Sequence, residues 1–475
     1  MTTEIHDATI NLSIVSHTNI GKTTLARTLL NRDIGEIADR AHVTVTADPY
    51  PLIDVPSGAR LILWDTPGFG NSVNLAKRLE ARCNPLGWFL GEVWDRVANK
   101  SQWLNQKALL HVRDITDVVL YLVNAAQLPE AAPYVAAEMK ILKWIGKPVI
   151  VLLNQMGEPK PSREERLEVQ RWKDALKGCD IVKDVLAMDA FARCWVQEFA
   201  LFESIGKALP PVYEKPYAEL KAAWREHRKK AFYQSAEAVS AFINARVSDE
   251  AQVEDISLLD RVRLFGKSVG LFKNADMTGD PAKKAQTELV HRAEDDFNTL
   301  ARELLAVNGL TGQVEPKELF GRLKASWHQA SAGKEAKAGL AGAIGAGAAG
   351  GLSADLMTGG LTLGTGALIG AILGAAGAVG AVHMYSRKKE QNGVTAAWSH
   401  AALEDFMLQS VLLYLAVAHF GRGRGNWTES EYPPAWKETV EKVLKNHQAE
   451  DKHLPIMVQP VLEETLKTLY PGIVL

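Results

Sequence analysis

Cysteine is scarce and irregularly placed. Cys83, Cys179 and Cys194 are the three in 475 residues. This odd, scattered set gives no disulfide framework and no zinc-binding spacing, and it fits a reducing compartment. An excess of one charge is also lacking. The 54 Lys and Arg stand against 56 Asp and Glu, for a formal net charge of −2. No global field therefore draws the chain to nucleic acid, and no DNA partner is expected. The first residues, MTTEIHDATI, carry acids and no apolar core, unlike a secretory leader. No repeat of the solenoid kind occurs. The expectation is a cytoplasmic protein, either free or attached at the inner face of a membrane.

What is present has the balance of a folded chain, with 47% hydrophobic and 23% charged residues. The length suits two or three domains. Short runs rich in Val, Ile and Leu recur early: INLSIV (Ile10–Val15), ARLILWD (Ala59–Asp65), DVVLYLV (Asp117–Val123), KPVIVLLN (Lys147–Asn154) and DVLAMDA (Asp184–Ala190). Helical stretches separate them, which predicts an α/β fold with a mostly parallel sheet covered on both faces. ALPPVY (Ala208–Tyr213) breaks the alternation.

The segment SHTNIGKTTL (Ser16–Leu25) follows the first strand and opens a helix. Backbone N–H groups in such a loop, with the positive end of the helix behind them, surround phosphate oxygens. The candidate binding residues are Asn19, Ile20, Gly21, Lys22, Thr23 and Thr24. Lys22 would reach the β- and γ-phosphates, and the Thr23 hydroxyl would bind Mg²⁺. Ser16 stands where the usual pattern has glycine, and a small residue serves there if its backbone is ordinary. WDTPG (Trp64–Gly68) ends a second strand. There Asp65 would hold Mg²⁺ through water, and the Gly68 N–H would sense a γ-phosphate.

These motifs resemble the Era-like branch of small GTPases, in the class that also holds the translation factors. The resemblance covers about the first two hundred residues. It implies a P-loop GTPase domain that binds GTP and GDP with Mg²⁺ and hydrolyses GTP slowly. It also implies a switch I threonine on Mg²⁺, which matches Thr44 or, alternatively, Thr46. The family's Asn-Lys-x-Asp base motif is represented by NQMG. Asn154 matches, Gln155 replaces the lysine, and Gly157 replaces the aspartate that accepts from guanine. Glu158 or Asp189 would substitute for that carboxylate. Ala190 matches the last motif, where its N–H faces the base oxygen. Phe69 occupies the place of the water-orienting glutamine and orients no water. Asn19 lies where some Era-like GTPases coordinate K⁺, which implies K⁺-stimulated hydrolysis with Asn19, Lys22 and Thr44 as the catalytic set. Two competing readings are a non-catalytic nucleotide-binding scaffold and an ATPase.

Beyond the sheet region the chain reads as an all-α domain. Its first helix carries Arg225, Arg228, Lys229 and Lys230, read as a solvated face or as contacts for phosphate or lipid. From Ala338 to Tyr385 the only charge is Asp355. Gly339, Ala343, Gly347 and Gly351 recur at every fourth position, as do Gly366, Gly370 and Gly374. Each set forms a smooth helical stripe, which predicts a glycine-zipper hairpin. Lys334 and Lys337 precede it, and Arg387, Lys388 and Lys389 follow. The flanking charge suits entry from the cytoplasmic side, yet an arm of about 22 Å is short for a hydrocarbon core of about 30 Å. Internal packing and contact with inner-membrane lipid or a membrane protein through 338–385 both remain open. QSVLLYLAVAHF reads as core, and GRGRG (Gly421–Gly425) as a loop. The expected division is 1–210 for the GTPase domain with a helical insertion at about 84–112, 211–332 for a helical domain, 333–390 for the hairpin, and 391–475 for a C-terminal helical part. A nucleotide-dependent dimer is a further expectation. The whole plan resembles an uncharacterised bacterial group of Era-like GTPases with a C-terminal domain of unknown function.

Overall fold

The structure is a computed structural model. It describes residues 8–31, 47–81, 83–85, 87–88, 100–157, 162–190, 193–253, 280–310, 382–386, 394–420, 433–447 and 457–471. The glycine-rich stretch up to residue 381, GRGRG, Thr44, Thr46, Glu158 and Phe191 lie outside them.

The chain divides into two compact units. The first holds residues 1–232, 418–426 and 466–475, and the second holds 233–417 and 427–465.

In the first unit six strands form one sheet: β1 (Thr9–Ser16), β2 (Asp48–Asp54), β3 (Arg60–Asp65), β4 (Val118–Asn124), β5 (Val149–Asn154) and β6 (Val182–Ala187). Their order is β2-β3-β1-β4-β5-β6, with β2 antiparallel to β3 and the other pairings parallel. The apolar runs are continuous because both faces are covered. Ile10, Leu12, Ile14, Leu120, Leu122, Ile150 and Leu152 point to one core, with residues of helices α1 (Lys22–Leu30), α6 (Trp195–Ala208) and α7 (Glu214–Val247). Val15, Val119, Tyr121, Val123, Val151 and Leu153 point to the other, with residues of α2 (Ser72–Glu80), α3 (Lys100–Asp114) and α4 (Pro133–Ile145). Helix α5 (Ser162–Leu176) adds Trp172 to that second core. Each fully buried aliphatic side chain contributes about 1.5–3 kcal/mol. Strand β2 is an edge strand, carries Pro49 and Pro51, and has an irregular register between Pro51 and Ile53.

The late part of the chain returns to this unit. The Arg193 N–H donates to His419 O at 3.2 Å, and His419 Nε2 lies 2.5 Å from the Tyr470 hydroxyl. The basic face expected on α7 is not all solvated. Arg228 places both guanidinium arms on the buried Glu198 carboxylate, at 2.9 and 2.8 Å. Arg225 stacks over Phe199, 5.1 Å from its centroid.

The second unit is helical, with α8 (Asp280–Val307), α9 (His400–Ala418), α10 (Pro434–His447) and the start of α11 (Val458–Leu469). The core reading of QSVLLYLAVAHF holds: Val411, Leu412, Leu413, Tyr414 and Leu415 are all buried. The label all-α omits one feature, a three-stranded antiparallel sheet ordered β7-β9-β8 from β7 (Glu250–Val253), β8 (Val382–Ser386) and β9 (Val394–Trp398). Residues 382–385, assigned from the sequence to the second helical arm, are therefore strand. The small-residue spacing has ended by then, and Val382 to Ser386 pair along the whole of β9. Among the described residues no helix is long and apolar enough to cross a membrane.

Candidate functional site

The loop after β1 combines two left-handed residues, Asn19 at φ 64° and Gly21 at φ 95°. At Gly21 a Cβ would also lie 2.9 Å from Asn154 Nδ2, so glycine is required by both backbone and space. Ser16 has no left-handed backbone, and this answers for the missing first glycine. Its hydroxyl donates to His17 O at 2.6 Å and accepts from Lys22 Nζ at 3.3 Å. Lys22 is buried. Burial holds its ammonium below the ordinary lysine value, while the carboxylates of Asp65 and Glu138 pull it back up. Thr24 is buried, and its carbonyl accepts from Thr28 Oγ1 at 2.9 Å.

Asp65 ends β3 beside this loop. The Thr23 hydroxyl donates to its Oδ2 at 2.6 Å, and the Thr66 hydroxyl fastens the same turn to Ile14 O at 2.6 Å. Gly68 lies directly over the lysine: a Cβ there would sit 2.7 Å from Lys22 Nζ and 3.0 Å from Thr18 Cα. The Phe69 N–H donates to Ser16 O at 2.9 Å, and the Thr18 N–H donates to Phe69 O at 3.1 Å. The Phe69 ring is fully buried. Gly70 is held from the other side by Asn105, whose Oδ1 accepts its N–H at 2.9 Å and whose Nδ2 donates to its carbonyl at 2.7 Å.

The strand ends at β5 and β6 form the second half of the site. Asn154 is fully buried. Its Nδ2 donates to Ile20 O at 2.6 Å, and its Oδ1 accepts the Ala190 N–H at 2.8 Å. The Ala190 N–H, expected to face a base oxygen, is thus engaged by Asn154. Asp189 accepts the Met156 N–H at 2.7 Å, which puts its carboxylate between the two loops. Gln155 has φ 59° and Gly157 φ 84°. Among the described residues nothing lies within 4 Å of a Cβ added at Gly157.

Three groups at the site carry no sequence motif. Glu138 on α4 is fully buried; its Oε1 lies 2.8 Å from His17 Nδ1 and its Oε2 accepts the Tyr121 hydroxyl at 2.6 Å. Burial, reinforced by Glu138, holds the Tyr121 phenol well above its ordinary value. Asn105 is the second group. The third is the cluster of Arg193, Glu198 and Arg228, in which Arg193 lies 2.5 Å from Glu198 and donates to Thr28 O at 3.1 Å. Burial brings Arg193 down to about 10, and Glu198 opposes that shift. It also pushes the neighbouring Cys194 thiol up to about 12, which makes it a packing residue.

Residues 11–155 match a family model described as 50S ribosome-binding GTPase. Residues 325–456 match a domain of unknown function. No curated protein matches the chain. Among solved structures it is similar to Era in complex with MgGDPNP and a segment of 16S ribosomal RNA, at 16% identity and TM-score 0.31, over 62% of this chain and 90% of that one. It is similar to Era from Aquifex aeolicus bound to GDP·AlF4−, at 16% identity and TM-score 0.31, over 64% and 99%. NFeoB from S. thermophilus, bound to mGMPPNP, aligns at 13% identity and TM-score 0.24, over 64% and 99%. The domain assignment rests on the family model and on the loop geometry. The chain joins an N-terminal P-loop GTPase domain to a separate C-terminal part that matches a domain of unknown function.

Proposed function

We propose that the protein is a guanine-nucleotide switch that catalyses GTP + H₂O → GDP + phosphate, slowly without a partner. The observation that carries this reading is the convergence of Lys22, the Thr23–Asp65 pair and Gly68 where the loops after β1 and β3 meet. Lys22 would hold the β- and γ-phosphates and the Gly68 N–H would meet the γ-phosphate. The oxygen atoms of Thr23 and Asp65, 2.6 Å apart, suit Mg²⁺ as a hard cation, with Thr44 from switch I. When bound, the ion neutralises charge on the phosphates. Asn154 sets the base loop, and Asp189 supplies the carboxylate that Gly157 lacks. Asn19, left-handed at φ 64°, is our candidate for a K⁺ ligand whose charge would stabilise the transition state.

Calorimetric titration with GTP, GDP, ATP and XTP, repeated on Lys22→Ala, tests the reading. We expect GTP to bind most tightly and Lys22→Ala to lose triphosphate binding; no heat with any purine triphosphate from folded protein ends it. Equal turnover in K⁺ and Na⁺ removes the Asn19 assignment. A second reading, a scaffold that binds nucleotide without turnover, is favoured by one observation: Phe69 is buried and its backbone is bonded to the phosphate loop. Single-turnover hydrolysis separates the two. For the C-terminal half we infer docking on an inner membrane or on a protein there. Support comes from the basic residues flanking the almost uncharged stretch 338–385.

A further inference from the structure

We propose that Asn105 is the positioning residue of the hydrolytic site, tying the Gly68 amide to helix α3 so that γ-phosphate engagement and the setting of α3 become one event. The inference rests on the GTPase reading and adds its route of regulation.

Asn105 is a fully buried polar residue in an apolar row. Ala108, Leu109 and Val112 follow it at helical spacing and join the core that holds Phe69. Its one amide satisfies both backbone groups of Gly70, at 2.9 and 2.7 Å. Parting Asn105 from Gly70 without replacement would strand four buried polar groups: two on the amide and two on the peptide chain. Such groups are costly to leave unpaired. The pair therefore moves together or stays.

The strip Gly68–Phe69–Gly70 is held on its other side by the phosphate loop, through Ser16 O and the Thr18 N–H. Gly68 packs so closely on Lys22 and Thr18 that a Cβ would meet them at 2.7 and 3.0 Å. A phosphate drawn between Lys22 and the Gly68 N–H pulls on this strip. Its next firm attachments are the Phe69 ring and the Gly70–Asn105 pair, and both belong to the α3 side. The strip is thus a short rigid coupling, with Asn105 as the polar joint.

The test uses the full chain. Asn105→Ala removes the joint. Asn105→Asp keeps the volume and the acceptor and removes the donor. Leu109→Ala loosens the α3 packing without touching Gly70. For Asn105→Ala and Asn105→Asp we expect GDP affinity within about twofold of wild type and a single-turnover GTP hydrolysis rate lower by at least about tenfold. For Leu109→Ala we expect the rate within about threefold of wild type. Hydrogen exchange on the wild-type chain gives a measurement that needs no variant: peptides covering 68–72 and 100–109 should change protection together when GDP is exchanged for a non-hydrolysable GTP analogue. A wild-type hydrolysis rate in Asn105→Ala, an equal loss in Leu109→Ala, or an unchanged 100–109 peptide overturns the proposal. If the wild-type chain binds no GTP, the underlying GTPase reading fails instead.

Discussion

The Thr23 hydroxyl donates to Asp65 Oδ2 at 2.6 Å, joining the first turn of α1 to the end of β3. Two strands that pair in parallel thus bring their loop chemistry to one point. In the proposed site the Thr23 oxygen would bind Mg²⁺ and Asp65 would hold it through water. Thr23→Val keeps the shape and removes the hydroxyl oxygen that would bind the ion. With that oxygen contributing on the scale of a polar contact to a charged group, about 1.5–3 kcal/mol, the Mg²⁺-dependent gain in GTP affinity should fall roughly tenfold or more. Binding measured in EDTA should barely change. Calorimetry with and without Mg²⁺ checks this, and equal losses in both media would contradict the assignment.

Asn154 bridges Ile20 O and the Ala190 N–H from a fully buried position. Asn154→Ala leaves both backbone groups unmatched, each costing about 1–3 kcal/mol. Chemical denaturation should show that loss, and the preference for GTP over ATP should narrow in competition binding. A variant that keeps wild-type stability would argue against the bridge.

Glu198 lies fully buried between Arg193 and Arg228. Glu198→Gln withdraws the only charge drawn to both cations in that cluster. Breaking a buried ion pair from one side costs about 3–5 kcal/mol. The urea midpoint of the first unit should drop accordingly. A change below about 1 kcal/mol would show that the arginines find other partners.

His111 packs against the Trp64 ring, with centroids 4.6 Å apart, and lies 3.1 Å from Ser13 Oγ. Burial lowers its pKa below 6.5. Below that value the unfolded chain binds the proton more readily, so stability from this group is lost as pH falls from 6.5 toward the folded value. Above 6.5 its contribution is flat. His111→Gln should shallow the acid limb of the stability profile without altering the neutral plateau, as followed by thermal unfolding between pH 4 and 8 at about half-unit steps.

Much of the first unit can be read from residues alone. Strand runs such as VVLYLV are buried on both faces, and a run without alternation is itself the mark of that environment. Lys22, Thr23 and Asp65 are legible because phosphate chemistry needs those types at strand ends. Asn105, Glu138 and Arg193 are harder, since their roles come from long-range neighbours. A weak sign existed for two of them. Asn105 shares a helical row with Ala108, Leu109 and Val112, and Glu138 shares one with Val135, Ile141 and Leu142. A polar residue in an apolar row implies a buried partner but does not name it. The sheet β7-β9-β8 was hidden for another reason. Its strands are only 4–5 residues long, and β7 lies far in the chain from the β8 and β9 it joins, so local pattern marks the sheet weakly.

The two prolines of β2 bear on how copies of this domain could meet. Residues two apart on a strand share a hydrogen-bonding direction, and Pro49 and Pro51 contribute no donor in theirs. The ladder to β3 nevertheless runs from Asp48 to Asp54, as befits prolines turned to the open side of an edge. A visiting strand would find gaps at two successive docking positions, with the register irregularity after Pro51 adding a further misfit. Growth of the sheet past β2 is disfavoured, so any strand-to-strand pairing between copies of this domain would have to use the opposite edge, β6.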